Sequence, residues 1–259
     1  RTLSRRGTVV VAVVALAFSL LQSPGRISPD TKLDLTSDPI GFLSRAAHLW
    51  SPIAPMGQVQ NQAYGYFFPH GAFFALGDLL TLPGWVTQRL WWALLLTVGF
   101  IGVVRLAEAL RIGSFPSRLL AGTVFVLAPR VLTTLGTISS ETLPMMLAPW
   151  VLLPIVRALD AASPSARPLW QEALRSAFAV ALMGAVNAVA TAAAAGIAAL
   201  WLLTGMFAAD RAGLGRRLRF TGWWLGGLLL ACLWWLVPLL MLSRISPPFL
   251  DFIESSRVT

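Results

Sequence analysis

Three aspartates at one spacing, Asp30, Asp34 and Asp38, follow directly on the first apolar run of the chain, in the segment Ser28-Pro29-Asp30-Thr31-Lys32-Leu33-Asp34-Leu35-Thr36-Ser37-Asp38-Pro39. A loop leaving a membrane helix for water has no need of acids crowded at its mouth. Moving a sugar off a lipid carrier does need a carboxylate there, at the height of the headgroups, to receive the proton of an acceptor hydroxyl. Such chemistry also needs cations around the departing phosphate. Lys32, Arg45, His48 and His70 are further candidates, and Arg130 is the most informative one. Arg130 lies in the outer half of an apolar run, where burial costs about 2.5–3.5 kcal/mol unless the charge is paired or wet. A phosphate, an acid such as Glu141, or snorkelling to the headgroups would compensate it. If the acidic stretch is helical, Asp34 stands one turn from Asp30 and orients it or binds acceptor hydroxyls. Asp38, between Ser37 and Pro39, reads as a helix cap or turn acid.

Far along the chain, Asp251 and Glu254 are spaced three residues apart. They are candidates to fold back over the same mouth and hold an acceptor sugar or a divalent ion, against the plainer reading of an exposed surface pair. No metal site is predicted: His48 and His70 do not share a ligand spacing, and no Cys/His cluster occurs. Both histidines read as interfacial packing residues with one hydrogen bond each. No Gly-rich phosphate loop or Ser-His-Asp arrangement is visible. Asn187, inside an apolar run, reads as a helix–helix hydrogen bond.

The elements that must position these groups are membrane helices. The 259 residues are 56% hydrophobic and 12% charged, and the mean hydropathy is +0.72. A soluble protein of this size could not cover so much apolar surface, so the bilayer is the main solvent. The net charge of +9 is dispersed between apolar runs rather than gathered on one face. It therefore reads as orientation signal and anionic-lipid contact, not as a nucleic-acid surface. The single cysteine, Cys232, excludes an intrachain disulfide and says nothing of redox compartment.

Candidate spans are Thr8–Gln22, Val86–Leu106, Leu119–Leu135, Thr142–Ala158, Leu174–Val189, Ala190–Phe207 and Phe220–Leu242, about seven in all. The stretch 174–207 is continuous and reads as a tight hairpin or a bent helix. Placing the N-terminus inside makes every inner segment basic, from Arg1, Arg5 and Arg6 to Arg211, Arg216, Arg217 and Arg219. The outer face then receives residues 23–85, the turn 136–141 and the stretch from Ser243. Seven of the eleven acids fall on that side, so any chemistry belongs there. Within 23–85, Ile40–Trp50 and Tyr64–Leu82 read as amphipathic interfacial helices separated by a Pro/Gly turn. The chain stops after Pro248-Phe249-Leu250-Asp251-Phe252-Ile253-Glu254 without a closing helix, and reads as residues 1–259 of a longer protein.

This layout resembles the GT-C glycosyltransferases: all-α integral membrane proteins with a multi-span helical bundle and a long outer loop carrying interfacial helices. More closely, Pro29 through Leu35, Trp50 through Met56, Gln58 through Tyr66, Leu127-Ala128-Pro129-Arg130 and Pro248 through Ser256 are similar to the mycobacterial arabinofuranosyltransferase D family, in its amino-terminal membrane part. The resemblance implies an inverting transfer of arabinofuranose from decaprenylphosphoryl arabinofuranose to the arabinan of arabinogalactan and lipoarabinomannan in the cell wall. It implies a multi-pass plasma-membrane protein with an extracytoplasmic active face. The catalytic acid of the wider class lies just past the first helix, often after a proline, which Pro29-Asp30 fits; Asp30 is then the general base, with Asp34 as the alternative. The rivals are transfer of another polyprenyl-phosphate sugar such as mannose, a lipid-linked sugar transporter, and a glycan-binding scaffold. A transporter would expect charges near the midplane of several spans, and only Arg130 and Asn187 favour it.

Overall fold

Apolar runs bounded by Ser, Pro and Gly fold as helices close to where hydropathy puts them. The computed structural model describes residues 2–30, 32–52, 57–59, 63–160, 166–207 and 211–245. Helix α1 (Arg5–Leu20) opens on Ser4, whose hydroxyl accepts from the Gly7 amide at 3.1 Å. The outer segment then holds the short α2 (Leu33–Ser37) and α3 (Pro39–Ala46). A two-residue antiparallel pair follows, β1 (Trp50–Ser51) with β2 (Gln58–Val59), in the register Trp50 to Val59. Tight helical turns over Ala63–Tyr66 and Phe67–Gly71 lead into α4 (Ala72–Leu79).

The rest is α5 (Gly84–Ala109), α6 (Phe115–Val126), α7 (Pro129–Leu135), α8 (Ser139–Leu159), α9 (Leu169–Ala181), α10 (Ala188–Phe207) and α11 (Arg211–Ile245). Among the described residues, α5, α8, α10 and α11 are long and apolar enough to cross a membrane. The α6–α7 pair makes a fifth if its two halves, bent by 47° at Leu127-Ala128, form one span. Pro129 supplies the break, since it cannot donate to the preceding turn. Helices α1 and α9 have 16 and 13 residues, short of the length that crosses a bilayer unaided. The stretch 174–189 is accordingly not one helix: α9 stops at Ala181, Gly184 takes a left-handed φ of +69°, and α10 begins at Ala188.

The chain is a multi-pass membrane protein, built as a mostly helical bundle. Its central helix is α8, 72% buried over its most apolar window, against 22% for α10 and α11. A helix apolar all round belongs in the middle of a bundle, and α8 tolerates Pro144, Pro149 and Pro154 there because its neighbours re-satisfy the backbone. One buried joint ties three helices together: the Ser176 hydroxyl on α9 donates to the Val151 carbonyl on α8 (2.7 Å) and accepts from Trp224 Nε1 on α11 (2.9 Å).

The two ends of the bundle differ in chemistry. At one, the Leu3 amide donates to Glu108 (2.8 Å), Arg105 donates to the Leu3 carbonyl (2.9 Å), Arg111 pairs with Asp160 (2.5 Å) and Arg216 donates to the Ala158 carbonyl (2.8 Å). At the other lie Asp30, His70, Ser139 and Asn187, and α1, α5, the α6–α7 pair, α8, α9, α10 and α11 each run between these ends. The interfacial segment is folded onto the second end, not laid flat beside it. Phe42, Tyr66 and Phe74 are buried in the core, and the Ala185 amide donates to the Gly65 carbonyl at 3.2 Å. A Cβ on Gly65 would stand 2.7 Å from the Ala185 backbone, so the approach requires glycine.

Replacing Ser176 by Ala leaves the Trp224 indole N–H buried without an acceptor. The expected cost is about 1–3 kcal/mol, read as a lowered midpoint of thermal unfolding in detergent.

Candidate active site

Asp30 ends an extended stretch that is anchored on both sides. Gln88, on α5, pairs with both backbone groups of Ser28, its Oε1 accepting from the amide and its Nε2 donating to the carbonyl, each at 2.9 Å. The Ser28 hydroxyl donates to the Gly136 carbonyl in the α7–α8 turn. Two residues later the Asp30 side chain, 8% exposed, meets the first residue of α8. Ser139 N–H donates to Asp30 Oδ1 at 2.9 Å and Ser139 Oγ–H to Oδ2 at 2.5 Å. The carboxylate thus caps the N-terminus of the central helix from a distant part of the chain, where the helix dipole favours negative charge.

Ser139 also fixes the state of His70. Its hydroxyl oxygen lies 3.2 Å from Trp91 Nε1 and 3.1 Å from His70 Nε2. A hydroxyl has one hydrogen and two lone pairs, and an indole N–H can only donate. The serine hydrogen goes to Asp30, so both nitrogens donate to the serine and His70 carries its proton on Nε2. Its Nδ1 is buried without a hydrogen-bond partner, as a lone pair in an apolar wall would be. The ring lies against Trp91 (centroids 4.4 Å apart) and between Tyr66 and Phe74 (5.6 and 5.5 Å). Burial pushes the imidazole down from 6.5 to about 4, against the opposing pull of the Asp30 carboxylate.

The other predicted groups are distributed around this centre. Helix α2 begins only at Leu33, so Asp30 and Asp34 share no helical turn. Asp34 is exposed and pairs with Arg45 at 3.2 Å. Arg45 also reaches Asp38 at 3.6 Å, and Asp38 caps α3 by accepting from the Gly41 amide at 2.9 Å. Half-buried Lys32 precedes α2. His48 bonds back to the Ser44 carbonyl at 3.0 Å. Arg130 pairs with Glu141 at 2.6 Å, and Glu141 also accepts from Asn187 Nδ2 at 3.1 Å. This chain joins α7, the first turn of α8 and the entry to α10 at the same end as Asp30. Asp251 and Glu254 lie outside the described residues. Among the described residues no group of three or more His, Cys, Asp or Glu side chains converges on a metal position.

Ser139 and Arg89 escape the sequence reading. Ser139 precedes the apolar run that marks α8, and only tertiary structure brings it to Asp30. Arg89 is fully buried inside α5, and a cation within an apolar span is a signal in itself.

Residues 14–259 match the family model described as alpha-(1->3)-arabinofuranosyltransferase, N-terminal GT-C domain. The chain is 64% identical over 252 residues to an alpha-(1->3)-arabinofuranosyltransferase of Mycolicibacterium smegmatis, covering 96% of this chain and 17% of that relative. It is 58% identical over 259 residues to an alpha-(1->3)-arabinofuranosyltransferase of Mycobacterium tuberculosis, covering 99% and 18%. The cryo-EM structure of arabinofuranosyltransferase AftD from Mycobacteria superposes with a TM-score of 0.90 at 57% identity, covering 99% of this chain and 19% of that one. The chain belongs to the family of alpha-(1->3)-arabinofuranosyltransferase N-terminal GT-C domains. It spans less than a fifth of the length of the curated relatives, at 17% and 18%.

The neutral, buried His70 makes stability depend on pH. Its pKa in the folded protein, about 4, lies below the unfolded value of 6.5, so the unfolded state takes up the proton first as pH falls. Stability is fully present above pH ~6.5 and declines toward pH ~4 by about 3 kcal/mol. Thermal unfolding across that window should show the decline in the parent and a flatter profile in His70→Gln.

Proposed function

We propose that this chain forms the catalytic membrane part of an inverting arabinofuranosyltransferase that uses a polyprenyl-phosphate donor, with Asp30 as the general base. The observation that carries the reading is the carboxylate held at the α8 N-terminus by both hydrogens of Ser139. The supports are the family's printed activity and the acid's place just past the first helix. Arabinofuranose leaves the phosphate as the acceptor hydroxyl attacks the anomeric carbon from the opposite face; Asp30 receives the hydroxyl proton, and the phosphate departs as a stable anion. The glycosidic bond forms as the bond to phosphate breaks, so the anomeric centre inverts once. Ser139 positions Asp30 through its amide and hydroxyl, and His70 holds the Ser139 lone pairs so that its hydrogen stays on the carboxylate.

In this reading decaprenylphosphoryl arabinofuranose enters from the bilayer and an arabinan of arabinogalactan or lipoarabinomannan from the aqueous side. The site end of the bundle faces outward across the plasma membrane, and the basic end faces the cytoplasm, as the positive-inside rule asks. Arg130 and Asn187, the residues that favour a transporter, hold Glu141 between them at the end of the bundle. That placement weakens the transport reading. Lys32 and Arg45 flank the outer mouth as phosphate candidates, Asp34 as an acceptor candidate, and Asp251 and Glu254 as a second carboxylate pair.

The test is transfer from synthetic decaprenylphosphoryl arabinofuranose to an arabinan oligosaccharide by the full-length protein. Asp30→Asn should lower the rate by about 100-fold or more while the fold is kept. Ser139→Ala, which keeps the backbone N–H, should cost about tenfold. Unchanged transfer by Asp30→Asn would remove Asp30 as the base.

A further inference from the structure

One buried side chain holds the residue two places before Asp30 by both of its backbone groups. Gln88, one turn into α5, is fully buried. Its Oε1 accepts from the Ser28 amide and its Nε2 donates to the Ser28 carbonyl, each at 2.9 Å. Arg89 sets which way round the amide lies. Its guanidinium donates to Gln88 Oε1 at 2.8 Å, and an NH2 group at that position would meet it donor to donor. The Ser28 hydroxyl donates to the Gly136 carbonyl. Every polar group of Ser28 is thus engaged, and the residue cannot shift without breaking a bond.

Pro29 transmits that grip. Its ring fixes its own φ and restricts Ser28, the residue before it, to extended conformations. Little torsional freedom therefore separates the clamped Ser28 from Asp30. Three residues along α5, on the same face, the Trp91 indole donates to Ser139 Oγ at 3.2 Å. Ser139 is the residue that bonds both oxygens of the Asp30 carboxylate. One face of α5 thus fixes both the chain leading into Asp30 and the partner that receives it. Polar side chains within a span are costly and are kept for function. Among the described residues, the Gln88 side chain bonds only to Ser28 and Arg89.

We propose that Gln88 is a positioning residue for the transfer step, acting through Ser28 and Pro29 to set where the Asp30 carboxylate stands toward the acceptor hydroxyl. This role rests on Asp30 as the general base. Misplacement of a reacting group acts on the chemical step more than on binding. Gln88→Met keeps the side-chain length and loses both bonds; in the full-length protein it should lower kcat about 10- to 100-fold with KM moved by less than about twofold. Gln88→Glu keeps the acceptor for the Ser28 amide and for Arg89 and loses only the donor, so it should recover part of that loss. Ser176→Ala weakens a joint remote from Asp30 and should keep the parent kcat, even where its unfolding midpoint falls as far as that of Gln88→Met. In an Asp30→Asn background, Gln88→Met should lower kcat no further. The place of Asp30 is read independently of transfer by its labelling with dicyclohexylcarbodiimide, mapped by peptide mass spectrometry, which should be faster in Gln88→Met than in the parent. Parent kcat in Gln88→Met, or an equal loss in Ser176→Ala, would overturn the role in transfer. If Asp30→Asn keeps the parent rate, the base itself is removed, and labelling then decides alone: faster in Gln88→Met, Gln88 still places Asp30; unchanged, it does not.

Discussion

The bond between the Asp30 carboxylate and the first residue of α8 is the contact on which the arrangement rests. An extended stretch has no internal hydrogen bonds to hold it, so residues 26–30 take their shape from what they touch. Gln88 and Arg89 hold them to α5, Gly136 and Ser139 to the turn before α8. Because α8 is the most buried helix, the acid is referred to the most rigid part of the bundle. The same contact satisfies the orphan Ser139 amide at a helix start that has no local side-chain cap. One interaction therefore serves both the position of the acid and the start of the helix.

Around it the polar groups are arranged so that none acts by itself. Ser139 links Asp30 to His70 and Trp91, and the aromatic rings of the interfacial segment close over the histidine. Tyr66, His70 and Phe74 follow at helical spacing, one wall built from a stretch that hydropathy alone reads as lying in the headgroups. The aromatic face turns to the protein, and Phe67, Phe68, Leu76 and Leu79 remain on the exposed side. Glu141 makes a second junction of the same kind, holding Arg130 and Asn187 across three helices.

Much of the bundle was legible because bilayer hydropathy is a strong signal. The runs Val86–Leu106, Thr142–Ala158 and Ala190–Phe207 lie inside α5, α8 and α10, and Phe220–Leu242 inside α11. What hydropathy cannot see is a break between equally apolar residues. Ala181 through Asn187 carry no charge, and only the left-handed Gly184 turns the chain there. Asp30 stands out in the sequence as the first acid past α1, but its relation to Asp34 does not, since the spacing of four mimics a helix that starts three residues later. Asp38 as a cap and Glu141 as the partner of Arg130 were legible from type and position. The tandem tryptophans show the limit well: Trp224 and Trp235 are buried while Trp223 and Trp234 face out, a division that depends on helix rotation and not on composition.

Helix α8 has Asp30 and Glu141 at its first turn and Arg157 in its last. These charges complement its dipole at both ends. Because Glu141 and Arg157 belong to the two ends of one helix, this match travels with α8 and holds whichever way the helix is threaded; it secures the helix within the fold and leaves orientation to the arginines of the connecting segments.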